Sequence, residues 1–317
     1  MLFMKKTRIR VIVMCLSLVM CIGISLSATS TNVSNTSEVS QTENDNLAVK
    51  KDLTTGVVEY FDISSLNAMY SSSMSDDVIE TNDISNGDCS VTGIVGSDER
   101  VRITPTTTYP YSAILYVEVT YPNGYTGKGT AFMIGENLAA TAGHVLYDAA
   151  YGGWATSVKV WPAKDGYGLW NNPYGTANAV ALHTSNLWIE NSDLNYDWGL
   201  IELDENIGED TGYFTVKYRD MSLTGTNITI TGYPGGELQY YQYSMSGTIT
   251  DYTDTTITYT IDTEDGQSGA PVHTTNGYVV YGIHSHGEKI DGVFVRNVGV
   301  RITASIYDYF QYMINNS

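Results

Sequence analysis

The sequence predicts an all-β fold, two six-stranded antiparallel β-barrels followed by one C-terminal helix, occupying residues 94–317. Three observations carry this. From Gly93 onward, short β-branched and aromatic runs recur between clusters of Gly, Asn, Asp and Pro. They are spaced roughly ten to twenty residues apart, the rhythm of hairpin-built barrels rather than of alternating strands and helices. Only the last stretch has helical periodicity, with Ile306, Tyr309, Phe310 and Met313 on one face.

Taken in order, the runs AILYVEVTY from Ala113, GTAFMIG from Gly129, SVKVWPA from Ser157 and WGLIEL from Trp198 supply a first barrel. NITITGYP from Asn227, YSMSGTIT from Tyr243, TITYTID from Thr256 and GYVVYGIHS from Gly277 supply a second. The helix from Ile302 is expected to pack against the second barrel. The chain has 317 residues, 42% of them hydrophobic and 7 of them proline, so it can bury cores of this size.

Before this region the texture differs. Lys5, Lys6, Arg8 and Arg10 precede an apolar run from Val11 to Leu26, with small residues at Ser25, Ser27 and Ala28. The run falls short of the roughly 20 residues a spanning helix needs. Residues 1–27 therefore read as a cleaved signal peptide, which implies a secreted, extracellular protein without stable membrane association. Residues 28–93 are rich in Ser, Thr, Asn and Asp, as in TSTNVSNTSEVSQTEND, and read as a pro-segment or a surface spacer. Cys15 and Cys21 fall in the signal, and Cys89 is the one remaining cysteine, so a disulfide framework is not expected.

The formal charge is −19, and from Gly93 onward 24 acidic residues face 10 basic ones. Such a surface repels phosphate backbones, which argues against a nucleic-acid partner. The acidity suits solubility outside the cell, and a monomer is expected.

Three short segments carry the candidate chemistry. LAATAGHVLYD places His144 at the end of an apolar run, behind the small residues Ala142 and Gly143. NYDWGLIEL places Asp197 just before an apolar strand, where its carboxylate can be directed at an imidazole. DGQSGAPV sets Ser268 in a tight turn, with Gly266 free to take a positive φ and turn its N–H toward the same point as the N–H of Ser268. Each has an ordinary structural explanation when taken singly. Together they follow the chain order His, Asp, Ser, separated by 53 and 71 residues, which fits one member or more on each of two barrels with a cleft between them.

IVGSDERVRI and YPYSAI, then GKGTAFMIG leading into TAGHV, YDWGLIEL, and DTEDGQSGAPV followed by GIHSHG resemble the glutamyl endopeptidases, a bacterial subgroup of the chymotrypsin-like serine proteases. The resemblance runs from about Gly93 to the C-terminus. It implies a serine endopeptidase acting on protein and peptide substrates, with His144 as general base, Asp197 as its orienting partner, Ser268 as nucleophile, and the Gly266 and Ser268 amides as the oxyanion hole. Thr263 and His284 occupy the positions that bind the carboxylate of a substrate Glu. Acyl transfer of this kind requires no metal and no cofactor.

Specificity is contested within the sequence. Asp262 stands six residues before Ser268, where trypsin-like enzymes carry the acid that recognises Lys or Arg, and Glu264 and Asp265 stand beside it. A pocket lined by three acids repels an acidic substrate unless they point elsewhere. Asp265 also departs from the Gly usual in the family. Cleavage after Glu is the expectation, with Lys/Arg specificity or a non-catalytic binding module on the same fold as alternatives. His286, His183 and His273 are expected at the rim or surface. Mature relatives begin near Gly93 or Ile94; Thr92 precedes that bond, so a second protease rather than self-cleavage is the expected activator.

Overall fold

The computed structural model describes residues 47–70, 89–90, 93–168 and 171–316. The expected signal peptide and residues 28–46 lie outside them. Along the chain come β1 (Leu47–Asp52), β2 (Val58–Asp62), α1 (Ile63–Tyr70), β3 (Ile114–Thr120), β4 (Thr126–Met133), β5 (Leu138–Thr141), β6 (Ser157–Pro162), β7 (Ala177–Ser185) and β8 (Gly199–Leu203). The second half contributes β9 (Asn227–Gly232), β10 (Tyr243–Tyr252), β11 (Thr256–Tyr259), β12 (Pro271–Thr274), β13 (Val279–Ile290), β14 (Val293–Arg301) and α2 (Ala304–Asn316).

Two closed six-stranded antiparallel barrels result, as the sequence predicts. The first runs β6-β3-β4-β5-β8-β7 and closes through β6–β7; the second runs β13-β12-β9-β10-β11-β14 and closes through β13–β14. Closure leaves few bare edges, which is how such sheets avoid pairing with other chains. Apolar residues of β3, β4, β5 and β8 fill the first barrel. Ile228, Ile230, Ile249, Ile257, Ile261 and Val272 fill the second.

One feature departs from expectation and one adds to it. Helix α2 buries Ile306, Tyr309, Phe310 and Met313 as its periodicity predicts, but Tyr309 (tilted) and Phe310 (edge-on) each meet Trp198 with ring centroids 5.7 Å apart, so it packs on the first barrel. Trp198 is the large apolar surface available there, and it decides where the helix docks. Second, part of the Ser/Thr-rich N-terminal region is ordered structure. β1 pairs antiparallel with β7, Ala48 opposite Ser185 through Asp52 opposite Ala181, and β2 folds back on β1. Ala48, Val49, Ile63 and Leu66 are buried, and α1 packs against α2.

This hairpin is tied down by a polar chain rather than by area alone. His183, expected at the surface, is fully buried on β7 between the Tyr309 hydroxyl (Nδ1, 2.7 Å) and Glu202 Oε1 (Nε2, 2.8 Å). Burial keeps the Tyr309 hydroxyl protonated, so it donates to Nδ1 and the ring's Nε2–H donates to Glu202. Lys50 of β1 completes the chain at 2.6 Å from the same carboxylate oxygen. His273 and His286 are buried too, against the same expectation. His273 gives up one ring nitrogen to the Thr274 carbonyl, and burial lowers its pKa to about 4.

Burial alone would raise the Glu202 pKa, but hydrogen bonds from His183 and Lys50 bring it down to about 2. A carboxylate held below its ordinary value stabilises the fold above that value and loses the contribution as pH falls through the folded one. Glu202→Gln is therefore expected to remove up to about 3 kcal/mol of stability at neutral pH and to flatten the loss of stability below pH ~4.5. Urea unfolding at pH 7 and at acid pH measures both effects.

Candidate active site

Asp197 ends the 3-10 turn Leu194–Tyr196 and enters the molecule just before β8, with its side chain fully buried. His144 sits in the short helix Gly143–Leu146 that follows β5. The two meet twice: Asp197 Oδ1 accepts the His144 backbone N–H at 2.7 Å, and Oδ2 accepts from the ring Nδ1 at 2.8 Å. Gly143 is what permits this. A Cβ there would lie 2.6 Å from Thr184 Oγ1, 3.0 Å from the Trp198 carbonyl and 3.2 Å from Asp197 Oδ1. The small residues before His144 thus make room for its carboxylate partner.

Burial pushes the His144 imidazole down, but the charge of Asp197 and the hydrogen bond to it outweigh this, and the pKa is raised. Nδ1 is committed to Asp197, which leaves Nε2 as the nitrogen free to take a proton. The ring stays partly open, at 32% side-chain exposure.

The second barrel contributes Ser268 and its neighbours. The Ser268 hydroxyl lies 3.5 Å from the Ser285 carbonyl, and the Ser285 hydroxyl donates to Asp197 Oδ2 at 2.5 Å. Ser285 therefore links the serine of one barrel to the carboxylate of the other, a role the sequence reading missed. Its position in GIHSHG, one residue from His284, was the available signal. The adjacent His286 also contacts the Ser285 hydroxyl, through Nδ1 at 3.0 Å.

Gly266 has φ +92°, and a Cβ on it would lie 2.6 Å from the Tyr233 carbonyl, so glycine is required twice over. Among the described residues no protein acceptor takes the N–H of Gly266 or of Ser268. Two free amide donors beside a serine can stabilise an oxyanion.

His284 and Thr263 flank the same loop. His284 exchanges backbone hydrogen bonds with it, its N–H donating to the Ala270 carbonyl and its carbonyl accepting from Gly269 N–H, each at 2.8 Å. Its Nδ1 is 2.7 Å from the Tyr259 hydroxyl. Burial holds that phenol protonated and hence a donor, so Nε2 carries the imidazole proton. Burial also lowers the His284 pKa to about 3, with His286 and His144 adding to the fall. Both His284 Nε2 and Thr263 Oγ1 are buried without a hydrogen-bond partner.

Two of the three acids that contest specificity are engaged elsewhere. Asp262 is buried with Oδ1 on the Val95 N–H at 2.8 Å and Oδ2 on the Glu99 N–H at 2.9 Å, so it anchors the start of the domain. Glu264 pairs at 2.9 Å with Arg100, which also holds Asp98 and the Gln267 side chain. Asp265 is exposed; burial of part of its surface and the charge of Glu264 raise its pKa, and Lys289 opposes them.

The chain is 36% identical over 226 residues to a glutamyl endopeptidase of Bacillus licheniformis, covering 69% of this chain and 68% of the relative. The chain belongs to the glutamyl endopeptidase family. A model of the trypsin-like peptidase domain matches residues 129–283, and a solved Glu endopeptidase in complex with MPD superposes with a TM-score of 0.62 at 28% identity, covering 70% of this chain and 99% of that one. A Bacillus subtilis relative, 32% identical with 70% of each chain covered, carries the name extracellular metalloprotease. Among the described residues no group of three or more His, Cys, Asp and Glu is placed to hold a metal ion. The chain is a chymotrypsin-like serine endopeptidase of the glutamyl endopeptidase family.

For this member of the family, Asp197→Asn is expected to leave the fold intact and lower kcat/KM by about four orders of magnitude, because an amide favours the wrong imidazole tautomer. The acid limb of its pH–rate profile should move to lower pH, since the charge that raises the His144 pKa is gone. Both are read from kcat/KM across the pH range.

Proposed function

We propose that the protein hydrolyses peptide bonds after Glu, and less readily after Asp, through an acyl-enzyme on Ser268. Ser268 Oγ attacks the scissile carbonyl while His144 Nε2 takes its proton, with Asp197 holding the ring's tautomer and stabilising the imidazolium. The amides of Gly266 and Ser268 receive the oxyanion. His144 returns the proton to the leaving amine, and water then hydrolyses the ester with His144 as base.

The observation that carries the Glu reading is the pair of buried, unpartnered donors, Thr263 Oγ1 and His284 Nε2, beside the nucleophile loop. Unpaired buried polar groups cost about 1–3 kcal/mol each, and a substrate carboxylate would satisfy both at once. Bound there, it would also raise the His284 pKa from about 3 and draw the ring toward imidazolium. A Lys/Arg pocket needs a free carboxylate, and Asp262 spends its own on Val95 and Glu99. A non-catalytic binding module gives no reason for free amides at Gly266 and Ser268, or for a histidine paired with a buried carboxylate.

The same reading includes export and maturation: a signal peptide over 1–27, a pro-segment over 28–93, and a mature domain from about residue 94 acting outside the cell. At this boundary the Gly93 N–H donates to Asn297 Oδ1 at 3.0 Å and its carbonyl accepts from Asn297 Nδ2 at 2.7 Å, so the junction is seated against β14. N-terminal sequencing of active secreted protein tests this; a start near Ala28 contradicts it.

Proteome-derived peptides digested with the mature protein should be cut predominantly after Glu, whereas a majority of cuts after Lys or Arg would overturn the assignment. Tyr259→Phe removes the donor that sets the His284 tautomer. It should lower kcat/KM for Glu substrates about tenfold or more, with a smaller effect on substrates lacking an acid.

A further inference from the structure

Thr130 lies on β4 of the first barrel, is fully buried, and stands in no hydrogen bond with His144, Asp197 or the Ser268 hydroxyl. Its hydrogen bonds nevertheless converge on the nucleophile loop of the second barrel. The Thr130 N–H donates to the Ser268 carbonyl at 2.9 Å. Its Oγ1 donates to the Gly266 carbonyl at 2.8 Å and accepts the Tyr233 N–H at 2.9 Å. Its own carbonyl accepts from Thr141 Oγ1 at 2.7 Å.

The direction of the hydroxyl is fixed by its partners. A threonine hydroxyl has one proton; Tyr233 N–H can only donate and the Gly266 carbonyl can only accept, so the proton goes to Gly266. Gly266 and Ser268 are the two residues whose amides are left free beside the reacting serine, and the carbonyl of each is held by Thr130. Gly266 at φ +92° has no Cβ to restrict rotation of its flanking peptides. The restraint on its orientation comes instead from outside the loop.

We propose that Thr130 is a positioning residue for the oxyanion hole: its hydroxyl and amide hold the Gly266 and Ser268 carbonyls, fixing the peptide that follows each residue and so restraining the loop whose Gly266 and Ser268 N–H groups face the developing oxyanion. The assignment rests on Ser268 being the nucleophile and goes beyond it by placing part of the transition-state machinery in the opposite barrel. Preorganised donors gain their effect because they need not reorient during reaction, so a loop free to turn its amides away loses transition-state binding and keeps ground-state binding.

The test compares Thr130→Val, which keeps the shape and removes the hydroxyl, with Thr130→Ser, which keeps the hydroxyl. Four quantities are measured: kcat, KM, the affinity for a peptidyl aldehyde that forms a hemiacetal with Ser268, and the affinity for a cleaved acidic product peptide. Thr130→Val should lower kcat about 100-fold and aldehyde affinity in parallel. KM and product affinity should stay within about threefold of wild type. Thr130→Ser should recover most of the activity. The proposal is overturned if folded Thr130→Val keeps kcat within about threefold of wild type, if aldehyde and product affinity fall together, or if Thr130→Ser is as impaired as the valine variant. Should the valine variant not fold, Thr130→Ala is read by the same criteria. Failure of the underlying serine assignment looks different: wild-type activity would then survive Ser268→Ala.

Discussion

A carboxylate with no solvent exposure organises this molecule. Burying Asp197 as an anion costs several kcal/mol unless its lone pairs are filled, and they are filled from both barrels. The first barrel supplies the backbone and ring N–H groups of His144; the second supplies the Ser285 hydroxyl. The interface between barrels is therefore a requirement of the charge as much as of apolar packing. The charge of Asp197 and the hydrogen bond to it also raise the His144 pKa, against the effect of burial. Thr130 repeats the logic on the other side of the cleft, where the first barrel holds carbonyls of the second.

Two of the three acids close to Ser268 in sequence are neutralised locally. Asp262 accepts two backbone N–H groups, and Glu264 shares Arg100 with Asp98. What remains at the buried wall is a hydroxyl and an imidazole N–H, donors without acceptors. Unsatisfied donors are costly in a resting protein, and sites for polar ligands are where that cost recurs.

The barrels were legible because their strands are rich in β-branched and aromatic residues, as in ILYVEVT of β3 and NITITG of β9. β7 was not, because ANAVALHTS mixes Ala with polar residues whose burial depends on distant partners, Tyr309 and Glu202 for His183. The β1–β2 hairpin was hidden for a related reason: as an edge addition it buries little beyond Ala48 and Val49, and its segment reads as polar by composition. In the site, His144, Asp197, Ser268 and Gly266 stood out through small neighbours and chain order. Asp262 was ambiguous because an offset from the nucleophile gives distance along the chain and not the direction of a side chain. Ser285 and Thr130 were silent, since a hydroxyl on a strand becomes informative only when its partner from the other barrel is known.

The proposed mechanism requires Ser268 to be a nucleophile activated across the two barrels by His144. Labelling the mature protein with a fluorophosphonate probe, with the modified residue located by peptide mass spectrometry, tests this most directly. Modification of Ser268 alone, abolished in His144→Ala, is the result expected. An unlabelled Ser268 in protein that still cleaves peptides would contradict it.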